Sequence, residues 1–389
     1  MVKAASFCVV GFEDVAKFEL DNFDVKNINT SEGFVSFETK DYSKIAEIAY
    51  FSRTASRVIS VFDELNISKK IDKEPVLKSV NNLDFEKWFN DGTTFRVECE
   101  RVGEHEFNSA DVEKLFGGLI IDSVFKKLGF KPTVALDNPD IIIYVDIFND
   151  RLLYGVDFCG FDLAKRDYHI FVTKTAIRGN VGASIVLYAN VKDKKTILDT
   201  MSASGTIPIE AALISKGFSV NRFRKENFVF KKLKVLSDVD FNNFFDSIEK
   251  KVKEKNWEII ASDPVLANVM STNKNAKIAE VAEFINTTRI DFDWLDIKIQ
   301  KNNVDAIITK MPAVSASNTV KDIEKIYKEF FYQAEYILKK SGKIVCLLLN
   351  DELFCKIGKD YKFDKVDFKK IMIGKQQCVV VTLEFEKKK

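Results

Sequence analysis

Short apolar runs alternate along the chain with segments whose apolar residues recur every three or four positions, which predicts an α/β protein. ASFCVV (5–10) reads as a strand, Gly11 to about Asn22 as a helix, FVSFET (34–39) as a strand, Tyr42 to Arg53 as a helix and RVISVFDEL (57–65) as a strand, together a small α+β unit. The polar stretch ISKKIDKEP, ending at Pro75, predicts a junction. A second unit follows: strand FRVECERV (95–102), a helix capped by Ser109 and continuing through ADVEKLFGGLIIDSVFKKLG, then strands DIIIYVDIF and RLLYGVDF about a turn at Asn149-Asp150. An amphipathic helix from Thr173 to Val191 leads into a third unit. There TILDTM, EIIASD, VDAIIT, GKIVCLLLN and QQCVVVTLEFE are strands with helices between most of them, the pattern of a doubly wound sheet with an antiparallel hairpin at one edge. The terminal KKK is expected to be a solvated tail.

The length of 389 residues agrees with more than one core, and 46% hydrophobic with 30% charged residues excludes a disordered or low-complexity chain. Lys and Arg number 59 against 58 acids, so any nucleic-acid surface must be a local patch. No run of about eighteen apolar residues and no leader pattern is visible, and a cytoplasmic location is expected. The cysteines, Cys8, Cys99, Cys159, Cys346, Cys355 and Cys378, have no zinc or redox spacing and read as reduced core thiols. With His105 and His169 the only histidines, a histidine-based metal site or a Ser-His-Asp triad is excluded, and no metal is expected.

The chemistry concentrates in ILDTMSASGTIPIEAAL (197–213). A strand ends in Asp199, a turn of small residues lets a ligand approach the backbone, and a helix starting near Thr206 presents free N–H groups to an anion. A later strand ends in Asp263, where a ribose-hydroxyl acceptor belongs in a Rossmann-like sheet; both acids also suit ordinary strand ends that cap helices. Lys165, Arg166, Tyr168, Lys174 and Arg178 bring four cations and a ring into fourteen residues, which suits phosphate contact or a solvated face with salt bridges. Arg222, Arg224, Lys225, Lys231, Lys232 and Lys234, interleaved with Phe223, Phe228 and Phe230, read equally as an RNA surface or as core aromatics with charged neighbours.

ILDTMSASGTIPIEAAL resembles the cofactor loop of class I methyltransferases that modify the exocyclic amine of guanine in RNA, whose usual form is D-P-x-C-G-S-G-T. Asp199, Ser204, Gly205 and Thr206 match, whereas Thr200, Ser202 and Ala203 stand for Pro, Cys and Gly. ASDPVLANVMSTNKNAKIAEV is similar to the family's second acidic strand and its asparagine-alanine helix, and IDFDWL places Asp291 where an acid meets the adenine amine. Upstream, FRVECERVGEHEFNSADVEKLFGG, LDNPDIIIYVDIFNDRLLYGVDFCGFDLAKRDY and TAIRGNVGASIV resemble a THUMP domain with the family's Lys-Arg-x-Tyr element, and the opening residues resemble the ferredoxin-like domain that precedes it.

The resemblance implies four segments: a ferredoxin-like domain at 1–66, a THUMP domain at 67–171, a linker helix at 172–190 and a Rossmann-like methyltransferase domain at 191–389. That order resembles archaeal tRNA guanine-N2 methyltransferases and the related bacterial 23S ribosomal RNA enzymes. It implies S-adenosylmethionine bound at Asp199, Ser202, Ala203, Ser204, Gly205, Thr206, Asp263 and Asp291. It also implies structured RNA, the acceptor region of tRNA, gripped by the first two domains.

In the family the fourth strand of the catalytic sheet ends in Asn-Pro-Pro-aromatic, which accepts the N–H bonds of the target amine and stacks on the flipped base. Here Lys310, Met311, Pro312 and Ala313 occupy those positions. Lysine is a donor without an acceptor, and a unit charge about 4 Å from a nitrogen that becomes positive opposes it by up to roughly 4 kcal/mol at an effective dielectric near 20, about a thousandfold in rate. At Ala203 a positive φ would strain the loop and a negative one would accommodate the methyl. Two readings follow: an RNA methyltransferase with weak or altered guanine methylation, and an inactive relative that acts as an RNA-binding module or subunit.

Overall fold

The computed structural model describes residues 1–251, 254–315 and 318–386; the lysine tail lies outside them. The chain forms two compact units, one of residues 1–7, 20–163 and 221–250, the other of residues 8–19, 164–220 and 251–389.

The first unit is built on one sheet of β1 (Val2–Phe7), β2 (Lys26–Ser31), β3 (Phe34–Thr39), β4 (Arg57–Asn66), β5 (Thr94–Val102), β6 (Thr133–Val134), β7 (Ile141–Phe148) and β8 (Arg151–Asp157), in the order β2-β3-β1-β4-β8-β7-β5-β6. The two N-terminal regions predicted from the sequence therefore share a sheet, joined where β4 runs antiparallel to β8. Arg57 fastens that seam. Its guanidinium is buried between Asp157 (2.5 Å) and Glu98 (2.7 Å) and lies over the Tyr144 ring. Ala5, Phe7, Phe34, Ile59, Tyr144 and Leu153 form a core across both regions.

Pro75 sits in the first turn of a helix, Lys73–Asn81, rather than in a junction; first-turn N–H groups have no intrahelical partner, so proline is tolerated there. The long helix Ser109–Leu128 begins one residue earlier than its expected cap implies, with Asn108 and Asp111 forming a capping box, and ends at Gly129 in the left-handed region. The β2 strand escapes the hydrophobic pattern because KNINTS is an edge strand with no buried residue.

The second unit carries β9 (Thr196–Asp199), β10 (Glu258–Asp263), β11 (Ile285–Arg289), β12 (Val304–Lys310), β13 (Leu338–Leu348), β14 (Phe363–Ile373) and β15 (Gln376–Phe385) in the order β11-β10-β9-β12-β13-β15-β14. The strands from β11 to β13 are parallel, and β15 and β14 close the sheet as an antiparallel hairpin. This is the predicted doubly wound sheet, and its topological switch lies between β9 and β12. The predicted linker helix is shorter than expected: α1 (Gly179–Ala189) is helical, while residues 169–178 form an irregular strap.

The predicted first strand also ends early, at Phe7, because residues 8–19 belong to the second unit. There the Met372 amide donates to the Val10 carbonyl at 3.0 Å, and Phe12 and Val15 enter the core. Gly11, at φ +93°, lies so close to the Lys370 carbonyl that a Cβ would fall 2.0 Å from its oxygen.

Candidate functional site

The site gathers at the C-terminal ends of β9, β10 and β12, where open parallel sheets bind ligands. Asp199, ending β9, is 2% exposed. Its Oδ1 accepts the Thr309 hydroxyl at 2.7 Å and the Met201 amide at 3.1 Å. Burial pushes this acid up to about 7 against those two bonds, with the Asp263 charge adding to the rise.

The loop after Asp199 is tied down by its own chain. The Ser202 amide donates to the Ser262 carbonyl at 3.0 Å, and the Thr272 hydroxyl donates to the Ala203 carbonyl at 3.2 Å. Asn275 donates to the Ser204 carbonyl at 2.8 Å. Ala203 sits at φ +51°, which decides the question left open by the sequence: its methyl occupies the strained left-handed region. Gly205, at φ +86°, caps α2 (Thr206–Lys216), and a Cβ there would meet the Thr272 backbone at 3.0 Å.

Asp263 receives the Ala203 amide on Oδ2 at 3.0 Å, and the Val265 amide and Asn268 side chain on Oδ1 at 2.9 and 3.0 Å. Asp291 lies apart on an exposed turn.

At the end of β12, Lys310 is half-buried, and its Nζ donates to the Thr175 carbonyl in the strap at 2.9 Å. Burial holds its amine below the ordinary lysine value. Met311 packs into the core instead of facing a ligand, and its amide pairs with Leu347. Tyr327 donates to the Pro312 carbonyl at 2.7 Å, and Ala313 is half-buried.

Two of the five expected RNA contacts need correction. Arg166 and Tyr168 are each 4% exposed and converge on one oxygen of Glu210, at 2.7 and 2.8 Å, on the second turn of α2. They are core groups behind the loop, whereas Lys165, Lys174 and Arg178 are exposed. The basic run after residue 221 also resolves largely toward structure. Phe228 and Phe230 are buried, Lys232 donates to the Asn138 side chain at 2.6 Å, and Lys234 donates to the Glu86 carbonyl at 2.7 Å.

Sequence reasoning missed His169, whose Nε2 lies 3.0 Å from Ser204 Oγ and 3.3 Å from Thr206 Oγ1. It also missed Asn275, which holds Phe171 of the strap through both its amide atoms. A histidine directly after Lys-Arg-x-Tyr was the available signal for the first, and the asparagine-alanine pair Asn275-Ala276 was the signal for the second.

Residues 166–378 match the family described as "RMKL-like, methyltransferase domain". The chain belongs to that family. Residues 72–157 match the THUMP domain, and residues 4–59 match the ferredoxin-like domain named for RlmL. The tRNA (guanine(6)-N2)-methyltransferase of Methanocaldococcus jannaschii is 31% identical over 350 residues, 88% of this chain and 90% of that protein. Its namesake in Archaeoglobus fulgidus is 28% identical, covering 90% and 84%. Among solved structures, a putative methyltransferase complexed with SAH superposes with a TM-score of 0.83 at 20% identity, covering 100% of this chain and 99% of that one. A possible methylase from Clostridium difficile gives 0.82 at 22%, with the same coverage. These last two show the shared fold.

The family is one of S-adenosylmethionine-dependent methyltransferases. The residues present fit that cofactor incompletely. Three donors of its own chain take three of the roughly four acceptor positions of the Asp263 carboxylate, which is 2% exposed, and the Ala203 methyl stands where the family has glycine. As arranged, this loop does not offer a complete cofactor cradle.

Proposed function

We propose that the protein is an RNA-binding member of the family, with tRNA as its partner, in which guanine-N2 methylation is lost or reduced by about a thousandfold. The observation that carries this reading is Lys310. A lysine ends the strand whose end must accept the amine's hydrogens, and it donates to Thr175 instead. The strained Ala203 and the enclosed Asp263 point the same way. The THUMP match and the two relatives named for tRNA methylation support tRNA as the partner.

The test is isothermal titration with S-adenosylmethionine, alone and with bulk tRNA, alongside transfer of a labelled methyl group to that tRNA. Salt-sensitive tRNA binding without methyl transfer is expected. Transfer at a rate comparable with an asparagine-bearing relative would overturn the reading.

A second reading, a working methyltransferase, draws on one observation: burial lowers the Lys310 pKa, and a neutral amine has a lone pair that accepts an N–H bond. It requires methyl transfer that rises with pH as Lys310 loses its proton.

A further inference from the structure

A half-buried ammonium ordinarily has a carboxylate opposite it, because desolvating a charge without a partner is costly. Lys310 has none among the described residues. Its one hydrogen-bond partner is the neutral Thr175 carbonyl, which leaves two of its three N–H donors unassigned. The titratable group that acts on it is the Cys378 thiol, which burial keeps protonated. Asp199, one strand over, bonds to Thr309 and Met201 instead.

The strap that Lys310 touches adds charge of the same sign. Lys174 precedes Thr175, is exposed, and forms no ion pair among the described residues. Lys310 therefore meets the strap at the residue next to Lys174, two cations with no counter-charge among the described residues, and the Thr175 carbonyl satisfies only one N–H of Lys310.

We infer that Lys310, with Lys174 beside it, contacts a backbone phosphate of the bound RNA, so that the strand end that holds a base amine elsewhere in the family holds the RNA backbone here. The inference rests on the RNA-binding reading above. It goes beyond it by giving the altered strand end a binding role of its own.

Counterion release supplies the test. Each phosphate neutralised contributes about 0.7–0.9 to the slope of log affinity against log salt. Affinity of the full-length protein for bulk tRNA would be measured between 50 and 200 mM salt for the parent, Lys310→Met and Lys310→Arg. Lys310→Met should flatten the slope by nearly one, so that the parent loses roughly threefold more affinity than the variant across that range. Lys310→Arg should restore the parent slope. Lys174→Met, at an exposed position whose loss leaves the fold intact, should flatten the slope similarly and gives an independent reading if Lys310→Met does not fold.

Equal slopes for parent and both methionine variants overturn the inference while leaving RNA binding in place. Absence of any tRNA binding by the parent refutes the underlying reading instead. If Lys310→Met alters S-adenosylmethionine titration but not the tRNA slope, the anion is the carboxylate of the cofactor and the phosphate assignment fails.

Discussion

Asp199 should make the second unit less stable as pH rises, and Asp199→Asn should remove that dependence. Its acid is carried from an ordinary value of 3.8 to about 7 by burial. An upward shift means that, between those values, the folded protein holds a proton that the unfolded chain has released. Stability contributed by this position is therefore greatest below pH 4, declines through the interval, and is lowest above pH 7, where both states are ionised. The whole interval corresponds to about 4 kcal/mol. Asparagine keeps an oxygen for the Thr309 hydroxyl and the Met201 amide, and it sets a neutral amide beside the Asp263 charge. At pH 8 the variant should melt higher than the parent by on the order of 10 °C, and the gap should close toward pH 4. Calorimetry of both proteins across that range cancels every other titrating group. A gap that does not change with pH, or a variant that is less stable at pH 8, would refute the argument. A buried acid whose titration is displaced this far is a candidate functional position.

Ala203→Gly should relieve about 1 kcal/mol of left-handed strain, read as a higher melting temperature, and by removing the methyl should tighten S-adenosylmethionine binding by titration; no tightening would mean that the enclosure of Asp263 is the larger obstacle. Lys310→Asn with Ala313→Tyr should raise methyl transfer to tRNA by up to about a thousandfold if the strand end alone has diverged, and by nothing if the loop has too. Glu210→Gln removes the carboxylate that pairs at 2.7 Å with Arg166, whose side chain is 0% exposed. It should cost about 3–5 kcal/mol by thermal unfolding, and much of that should return when Arg166→Met is added.

The sheet of the second unit was legible because its central strands are short apolar runs, two of which, β9 and β10, close in an acid. Strands β2 and β14 were not legible, since KNINTS and the exposed half of FDKVDFKKIMI lack alternation. Asp199, Ser204, Gly205 and Thr206 were located by the resemblance of their segment to the family's cofactor loop, and the structure brings them into one loop. Burial could not be read from composition. Arg166 and Tyr168 look like a surface pair in sequence, yet they answer a glutamate more than forty residues away that no local pattern connects to them. The sign of φ at Ala203 was likewise set by the tertiary bonds to Asp263 and Thr272.

Residues 221–250, which the sequence places between a helix and a strand of the catalytic sheet, fold as part of the first unit. Their helix Phe241–Glu249 sets Phe245 against Tyr50, whose hydroxyl bonds to Glu249, and Phe228 also packs on Tyr50. The two bodies therefore cannot be inherited or engineered as cassettes separated by one cut. A fragment ending at residue 163 would remove Phe228 and Phe245 from against Tyr50, and one beginning there would carry a stranded greasy loop prone to aggregation. Evolution of an exchangeable RNA-binding module in this lineage would have to move three pieces of gene together.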